Sequence, residues 1–120
     1  MNKDLIIHLR LKGRALKEIA EELELPVSVV HLFFKNYVKE LVGKWSASSN
    51  GSLFQFDNAY TNFNNWCEDS GYTQITIRDF KSAICMLENN SEEDMLYMED
   101  DPDGNNALML DINKIRLAFD

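Results

Sequence analysis

The fold of the first third of this chain is decided by residues 16–35, Leu16-Lys-Glu-Ile-Ala-Glu-Glu-Leu-Glu-Leu-Pro-Val-Ser-Val-Val-His-Leu-Phe-Phe-Lys35. A helix is predicted over residues 16–23, because one face carries apolar side chains at helical spacing: Leu16, Ile19, Ala20 and Leu23. Glu24-Leu25-Pro26 is predicted to be a turn. Proline needs no N–H partner at the start of a helix, so a second helix is predicted from Val27 to about Val42.

A short amphipathic helix is predicted before this pair, from Lys3 to Leu11. Its apolar side chains fall on one side at helical spacing, namely Leu5, Ile6 and Leu9. Gly13 follows it, and glycine commonly occupies the position just beyond a helix. Residues 1–45 are therefore predicted to form one unit of three helices.

The two helices around the turn resemble the helix-turn-helix of bacterial and phage regulators. The resemblance rests on the apolar positions that hold such helices together, here Ile19-Ala20, Leu23, Leu25 and Val30. The chain departs from the family at Glu24, where glycine is common, and at Pro26, where a serine cap is common. The resemblance implies that the helix after the turn is presented to the major groove of double-stranded DNA.

Five residues are the candidate DNA-binding residues of this unit. Ser28 and His31 can hydrogen-bond base edges or phosphates, and Lys35 can neutralise a phosphate. Arg14 and Lys17, near the start of the preceding helix, are placed to contact backbone phosphates.

The presented helix also carries apolar residues on more than one face, among them Val27, Val29, Leu32 and Phe33. A helix of this kind is usually buried or shared with a partner. Two interpretations therefore stay open for it: contact with DNA, or contact with protein, including a homodimer through this third helix.

The charge of the chain is distributed unevenly. Residues 1–45 hold eight basic and six acidic residues, a net charge of +2, whereas residues 46–120 hold four basic and fourteen acidic ones, a net charge of −10. An acidic surface repels phosphate. Nucleic-acid contacts are therefore expected in the first third.

A second unit is predicted over residues 54–120, after a small and polar linker at 46–53. Helices are predicted at 57–69 and from a Thr76-Ile-Arg-Asp79 capping box through Leu87. A brief strand is predicted at Gln74-Ile75, and two further strands at 94–98 and 107–112 flank a turn-rich segment. Residues 113–119 are expected to form a helical turn or a further strand. This order predicts a small winged helix with a two-stranded wing.

Residues 54–90 resemble, more distantly, the C-terminal winged-helix domain of phage and poxvirus-type primase-helicases. The resemblance rests on the spacing of an aromatic residue, a Trp-Cys pair, a glycine and a phenylalanine through the first two helices of that domain. The matching residues are Tyr60, Trp66-Cys67, Gly71, Phe80 and Leu87. It implies a phage or mobile-element protein. The wing departs from a basic DNA-contacting wing because it is acidic, which leaves Arg78, Lys81 and Ser82 as the residues suited to a DNA-facing helix.

Enzyme chemistry finds little support in this sequence. Neither His8 nor His31 has a nucleophile or metal ligand at a recognisable spacing, and no phosphate-binding Gly-rich loop is present. Cys67 and Cys85 do not form a C-x-x-C pair. We therefore expect no enzyme activity, no cofactor and no metal, and we expect a cytoplasmic location with no membrane contact.

The expected fold is α+β and mainly helical, a three-helix helix-turn-helix followed by the winged helix. The leading hypothesis is a non-enzymatic DNA-binding regulator or replication accessory protein. The alternative is an acidic inhibitor, active in host takeover or against host defence, that mimics DNA. It would occupy the surface of a basic nucleic-acid-binding protein through Asp100, Asp101 and Asp103.

Overall fold

The computed structural model describes residues 3–91, 94–100, 104 and 106–119. These residues form an α+β fold, mainly helical with one small antiparallel sheet, which confirms the expected fold class at this level. The helices are α1 (Lys3–Leu11), α2 (Leu16–Glu22), α3 (Val27–Ser48), α4 (Phe56–Asp69), α5 (Ile77–Ser91) and α6 (Ile112–Ala118). The strands are β1 (Leu53–Gln55), β2 (Leu96–Asp100) and β3 (Asn106–Asp111).

Three helices end in the same way, with a left-handed residue just beyond the helix. These residues are Gly13 after α1 (φ 94°), Glu24 after α2 (φ 56°) and Gly71 after α4 (φ 80°). After α2, the Glu24 amide donates to the Glu21 carbonyl (3.3 Å) and the Leu25 amide donates to the Ala20 carbonyl (2.9 Å). This is the Schellman pattern, in which glycine is the favoured left-handed residue. The tight turn between α2 and α3 is therefore built on an unfavourable residue.

Helix α3 joins two hydrophobic clusters. Its N-terminal part contributes Val30 to a small cluster with Ile6 of α1 and with Ile19 and Ala20 of α2. From Phe34 onward it lies in a larger cluster that also draws on α4, α5, the sheet and α6. The apolar side chains of the third helix that are buried there are Phe34, Val38, Leu41, Val42 and Trp45. This part of α3 is therefore covered by the second half of its own chain.

Helix α3 extends six residues beyond its predicted end at Val42. Residues 46–48, predicted as linker, form its last turn, and Ser46 is buried with its hydroxyl donating to the Gly43 carbonyl (2.9 Å). Arg116 of α6 donates to the carbonyl oxygens of Ser46 (2.6 Å) and Gly51 (2.7 Å). The segment between α3 and β1 is thus held against α6.

The sheet has the order β1-β3-β2, and both pairings are antiparallel. Leu110 of β3 lies opposite Phe54 of β1 on one side and Leu96 of β2 on the other. The two predicted hairpin strands exist, although β2 begins two residues later than predicted. The predicted strand at Gln74-Ile75 is wrong, because those residues lie outside the sheet. The first strand is instead β1.

The start of α5 was predicted as a capping box, and one half of it is present. The Asp79 amide donates to the Thr76 hydroxyl oxygen (3.2 Å). The Asp79 carboxylate accepts from the Thr76 hydroxyl (3.1 Å) and from Arg10 of α1. Helix α5 then runs four residues beyond its predicted end at Leu87. Of the two forms expected for residues 113–119, the helical one is observed, as part of α6.

Within the described ranges no helix is both long enough and apolar enough to cross a membrane.

Candidate nucleic-acid interface

A groove of about 630 Å³ lies between the N-terminal half of α3 and the N-terminal half of α5. Helices α1 and α2 contribute one residue each, Arg10 and Leu16. The described residues that line it are Arg10, Leu16, Ser28, His31, Leu32, Phe34, Lys35, Val38, Asp79, Ser82, Ala83 and Met86. This groove therefore joins the two halves of the sequence in one surface.

Three of the five candidate DNA-binding residues line this groove. Ser28, His31 and Lys35 follow one another at helical spacing, so they share one face of α3, and all three are exposed. The structure therefore brings these three predicted residues together on the α3 side of the groove.

The other two candidates, Arg14 and Lys17, are not among the lining residues. Arg14 instead pairs within the N-terminal half: its Nη2 lies 2.8 Å from Glu22 Oε2, and its Nε lies 3.6 Å from Glu18 Oε2. Lys17 is exposed, and no ion pair to it occurs within the described part of the chain. The positive charge of Arg14 is thus offset by neighbours, whereas that of Lys17 is not.

Helix α5 forms the opposite side of the groove. Ser82 is exposed and lines it, which places one of the three α5 candidates opposite the α3 candidates. Arg78 and Lys81 are exposed on the first turns of the same helix but do not line the groove. The Lys81 ammonium lies 6.0 Å from the centroid of the Phe56 ring, at the outer reach of a cation–π contact.

An ion pair between Arg10 and Asp79 forms part of the groove lining. Arg10 Nε donates to Asp79 Oδ2 (3.0 Å), and Arg10 Nη2 donates to Asp79 Oδ1 (2.8 Å). Asp79 is the one carboxylate among the described lining residues, and Arg10 neutralises it. Lys35 therefore leaves this groove with a net positive charge in a chain of net charge −8.

Sequence reasoning missed this ion pair. Arg10 and Asp79 are separated by 69 residues, and each has a sufficient local explanation. Arg10 lies in the last turn of an amphipathic helix, and Asp79 takes the acidic position of a capping box. Only the packing of α1 near the start of α5 brings them together.

The interior of the groove is apolar. Phe34, Val38 and Ala83 form its floor, and each is at most 5% exposed. Leu16 and Met86 are half-buried at its sides, and Leu32 is 60% exposed. Polar and charged side chains therefore surround an apolar floor that is already buried, and Leu32 is the exposed apolar side chain of the described lining.

A second cavity of about 270 Å³ lies beside the end of α3. It is lined by Trp45, Ser48, Ser49, Asn50, Gly51, Phe54, Asn62 and Trp66, none of which is charged. Trp45 is buried and donates from Nε1 to Asn62 Oδ1 (2.9 Å). Because the described lining includes no cation, this cavity is a poor match for phosphate.

The acidic residues of the alternative hypothesis fall mostly outside the described residues. Asp101 and Asp103 lie there, and only Asp100 is described. It is exposed at the end of β2, an edge strand of the sheet. The geometry of the acidic turn therefore adds nothing to that hypothesis.

The described residues offer no candidate metal site. They contain no group of three His, Cys, Asp or Glu side chains that could hold a metal ion. Burial raises the pKa of the Cys67 thiol to about 11. A thiol with such a pKa is a poor nucleophile at neutral pH.

Comparison with protein-family models, with curated proteins and with solved structures finds no match to this chain.

Proposed function

We propose that this protein is a non-enzymatic DNA-binding protein, a regulator or replication accessory, that contacts duplex DNA along the rims of the α3–α5 groove. The observation that carries the proposal is the convergence of Ser28, His31 and Lys35 with Ser82 around one groove. The groove is net positive in a strongly acidic chain, as expected of a surface that meets phosphate.

The order of the elements supports the same proposal. The elements follow one another as α3, β1, α4, α5, β2 and β3, with β3 central in the sheet, an order that is compatible with the proposed winged helix. In that architecture α5 is the helix presented to DNA, whereas the N-terminal helix-turn-helix would present the start of α3. Both presented helices would then border one groove and meet one duplex together.

The roles of the individual groups follow from their surroundings. Lys35 supplies a phosphate contact, and the exposed Ser28 and His31 supply hydrogen bonds to phosphate or base edges. Lys17 is a further phosphate contact outside the groove. Arg14 contributes less, because phosphate must compete with its carboxylate partners Glu18 and Glu22.

The test is fluorescence anisotropy of a labelled mixed-sequence duplex, titrated with the full chain at several salt concentrations. We expect the logarithm of affinity to fall linearly with the logarithm of salt concentration. Lys35→Gln is expected to weaken binding to every duplex and to reduce the slope by about one. Lys44→Gln is the matched control: Lys44 lies near the other end of α3, pairs with Glu40 (3.0 Å) and does not line the groove.

Two results would contradict the proposal. One is the absence of duplex binding even at low salt. The other is an equal loss of affinity in Lys35→Gln and Lys44→Gln, because it would show a response to net charge rather than to the groove.

The acidic inhibitor remains the alternative proposal, and it is favoured by the net charge of −10 on residues 46–120. Its test is binding to a basic nucleic-acid-binding domain. Replacement of Asp100, Asp101 and Asp103 by Asn is expected to weaken that complex and its dependence on salt. An unchanged complex would exclude a role for these three residues.

A further inference from the structure

Leu32 and the half-buried Leu16 and Met86 give the α3–α5 groove an apolar lining that phosphate contacts do not use. A duplex presents phosphates and base edges, which can reach exposed side chains such as Ser28 and Lys35 on the rim. Its apolar groups are mainly the thymine methyls at the base edges, and Phe34, Val38 and Ala83 at the bottom of the groove are already at most 5% exposed. The volume of about 630 Å³ falls within the range of roughly 300–1,000 Å³ that is typical of small-molecule sites.

We propose that this groove binds a small monocarboxylate with an apolar tail, and that the ligand weakens DNA binding. Its tail would lie on the floor between Leu16, Leu32 and Met86, and its carboxylate would lie at Lys35. The part of the proposal that concerns DNA rests on the function proposed above. The part that concerns the ligand does not.

The charges of the lining residues favour a ligand that carries a single negative charge. Arg10 is already engaged, because it donates to both Asp79 oxygens and from Nη1 to the Arg14 carbonyl (3.0 Å). Lys35 is the lining cation without an ion pair in the described residues. One ammonium group matches a monocarboxylate better than a doubly charged phosphate monoester.

The hydroxyls and the apolar rim complete the match. Ser28 and Ser82 lie on opposite helices and can each donate to a carboxylate oxygen. Leu32 is 60% exposed one helical turn before Lys35, so an apolar tail would cover it while the acid group stays at the rim. The same ammonium would serve phosphate in the DNA complex, and ligand and duplex therefore compete for Lys35.

The test is an NMR titration of the isotope-labelled full chain with decanoate, kept below its micelle-forming concentration. Saturable shift changes are expected at residues 28–38 and 79–86, and decan-1-ol, which lacks the charge, is expected to bind more weakly. Lys35→Gln is expected to weaken decanoate binding about fivefold. Lys39→Gln is the matched control, because Lys39 is exposed one turn further along α3 and does not line the groove.

A blocking variant separates the groove from the rest of the surface. Ser82→Phe places a ring over the floor from an exposed position, and it is expected to abolish saturable binding. If that variant does not fold, Leu32→Gln is expected to weaken binding severalfold without disturbing a buried residue. The ligand site is overturned if shifts spread to exposed apolar residues elsewhere, such as Leu117, or if Lys35→Gln and decan-1-ol leave affinity unchanged.

The duplex assay, repeated with decanoate, distinguishes the two proposals. Weaker DNA binding in the presence of decanoate supports both proposals if Leu32→Gln, at a position with no proposed DNA contact, reduces this effect of decanoate. If decanoate causes NMR shift changes at the groove residues but the protein binds no duplex, the ligand site is retained and the proposed function is overturned. If the protein binds duplex DNA with an affinity that decanoate does not change, and decanoate causes no NMR shift changes at the groove residues, the proposed function is retained and this inference is overturned.

Discussion

The guanidinium of Arg10 and the carboxylate of Asp79 form two parallel hydrogen bonds, 3.0 Å and 2.8 Å long, between α1 and the first turn of α5. The side chain of Arg10 is 22% exposed and that of Asp79 is 9% exposed, so the pair is largely withdrawn from water. Asp79 also accepts from the Thr76 hydroxyl. One carboxylate therefore serves both the start of a helix and the contact between the two halves of the chain.

Removal of one partner of this pair is expected to cost more than removal of both. Asp79→Ala leaves the Arg10 guanidinium partly buried without its partner, and we expect a loss of about 2–4 kcal/mol in the free energy of unfolding. The double variant Arg10→Met, Asp79→Ala is expected to be more stable than Asp79→Ala alone, because no unpaired charge remains. Urea unfolding of the two single variants and the double variant measures the coupling. Strictly additive losses would show that the pair contributes nothing.

The helices could be predicted from sequence because each has a local signal. Apolar spacing placed α1, α2 and the start of α3, and Gly13 and Pro26 mark boundaries that the structure retains. The same spacing placed Ser28, His31 and Lys35 on one face. Such signals lie within a few residues of one another, so no tertiary knowledge is needed to interpret them.

The errors arose where the decisive partner is distant in sequence. Strand β1 has three residues with no fully buried side chain, and it exists because Phe54 pairs with Leu110 of β3. A strand is predicted at Gln74-Ile75, but Ile75 is buried in the core and its carbonyl accepts from the Tyr60 hydroxyl (2.7 Å). Long-range pairing decided both cases.

The length of α3 was underestimated for the same reason. Gly43 and the serines after it weaken the local signal for a helix. In the structure the Phe119 ring packs over Gly43, so closely that a Cβ there would lie 2.7 Å from a ring carbon. The ring of Phe119, just after α6, therefore occupies the space over Gly43, which sequence periodicity cannot reveal.

Replacement of Glu24 by glycine is expected to stabilise the protein. Glu24 has φ 56° at the Schellman position after α2, where a residue with a Cβ is strained. We expect Glu24→Gly to raise the free energy of unfolding by about 0.5–1 kcal/mol. The control is Glu21→Gly, the same change inside α2, which is expected to lower stability by a similar amount. Thermal unfolding of both variants checks the prediction, and a destabilised Glu24→Gly would contradict it.

The free energy of unfolding is expected to fall at alkaline pH because of two groups, the half-buried phenol of Tyr37 and the buried thiol of Cys67. Burial, with a smaller effect of neighbouring Cys67, raises the pKa of Tyr37 from 10.0 to about 12. Burial raises the pKa of Cys67 from 9.0 to about 11. Each group therefore holds its proton more tightly when folded. The stabilisation that each group gives the folded state is complete at a pH below the pKa of that group in the unfolded chain. It is lost as the pH rises through the pKa of the group in the folded protein.

Urea unfolding between pH 8 and pH 11 measures this effect, which we expect to begin near pH 9. Tyr37→Phe is expected to flatten the decline above pH 10, and Cys67→Ala is expected to flatten it from about pH 9. Cys85→Ala controls for the loss of a thiol from a less buried position. An alkaline decline of equal steepness in all these proteins would assign it to other groups.

Arg116 is expected to be sensitive to replacement by lysine, because its guanidinium binds backbone carbonyls at the end of α3 and just beyond it. Arg116 Nε donates to the Ser46 carbonyl (2.6 Å), and Nη2 donates to the Gly51 carbonyl (2.7 Å). Lysine cannot reproduce this fork, so Arg116→Lys is expected to lower stability by about 2–3 kcal/mol. The Ile112 amide, which donates to the Ser52 carbonyl nearby (2.8 Å), should also exchange faster. The control is Arg78→Lys, on the exposed face of α5, which should change neither the free energy of unfolding nor the exchange rate of the Ile112 amide. An equal effect in both variants would show that the backbone contacts of Arg116 are unimportant.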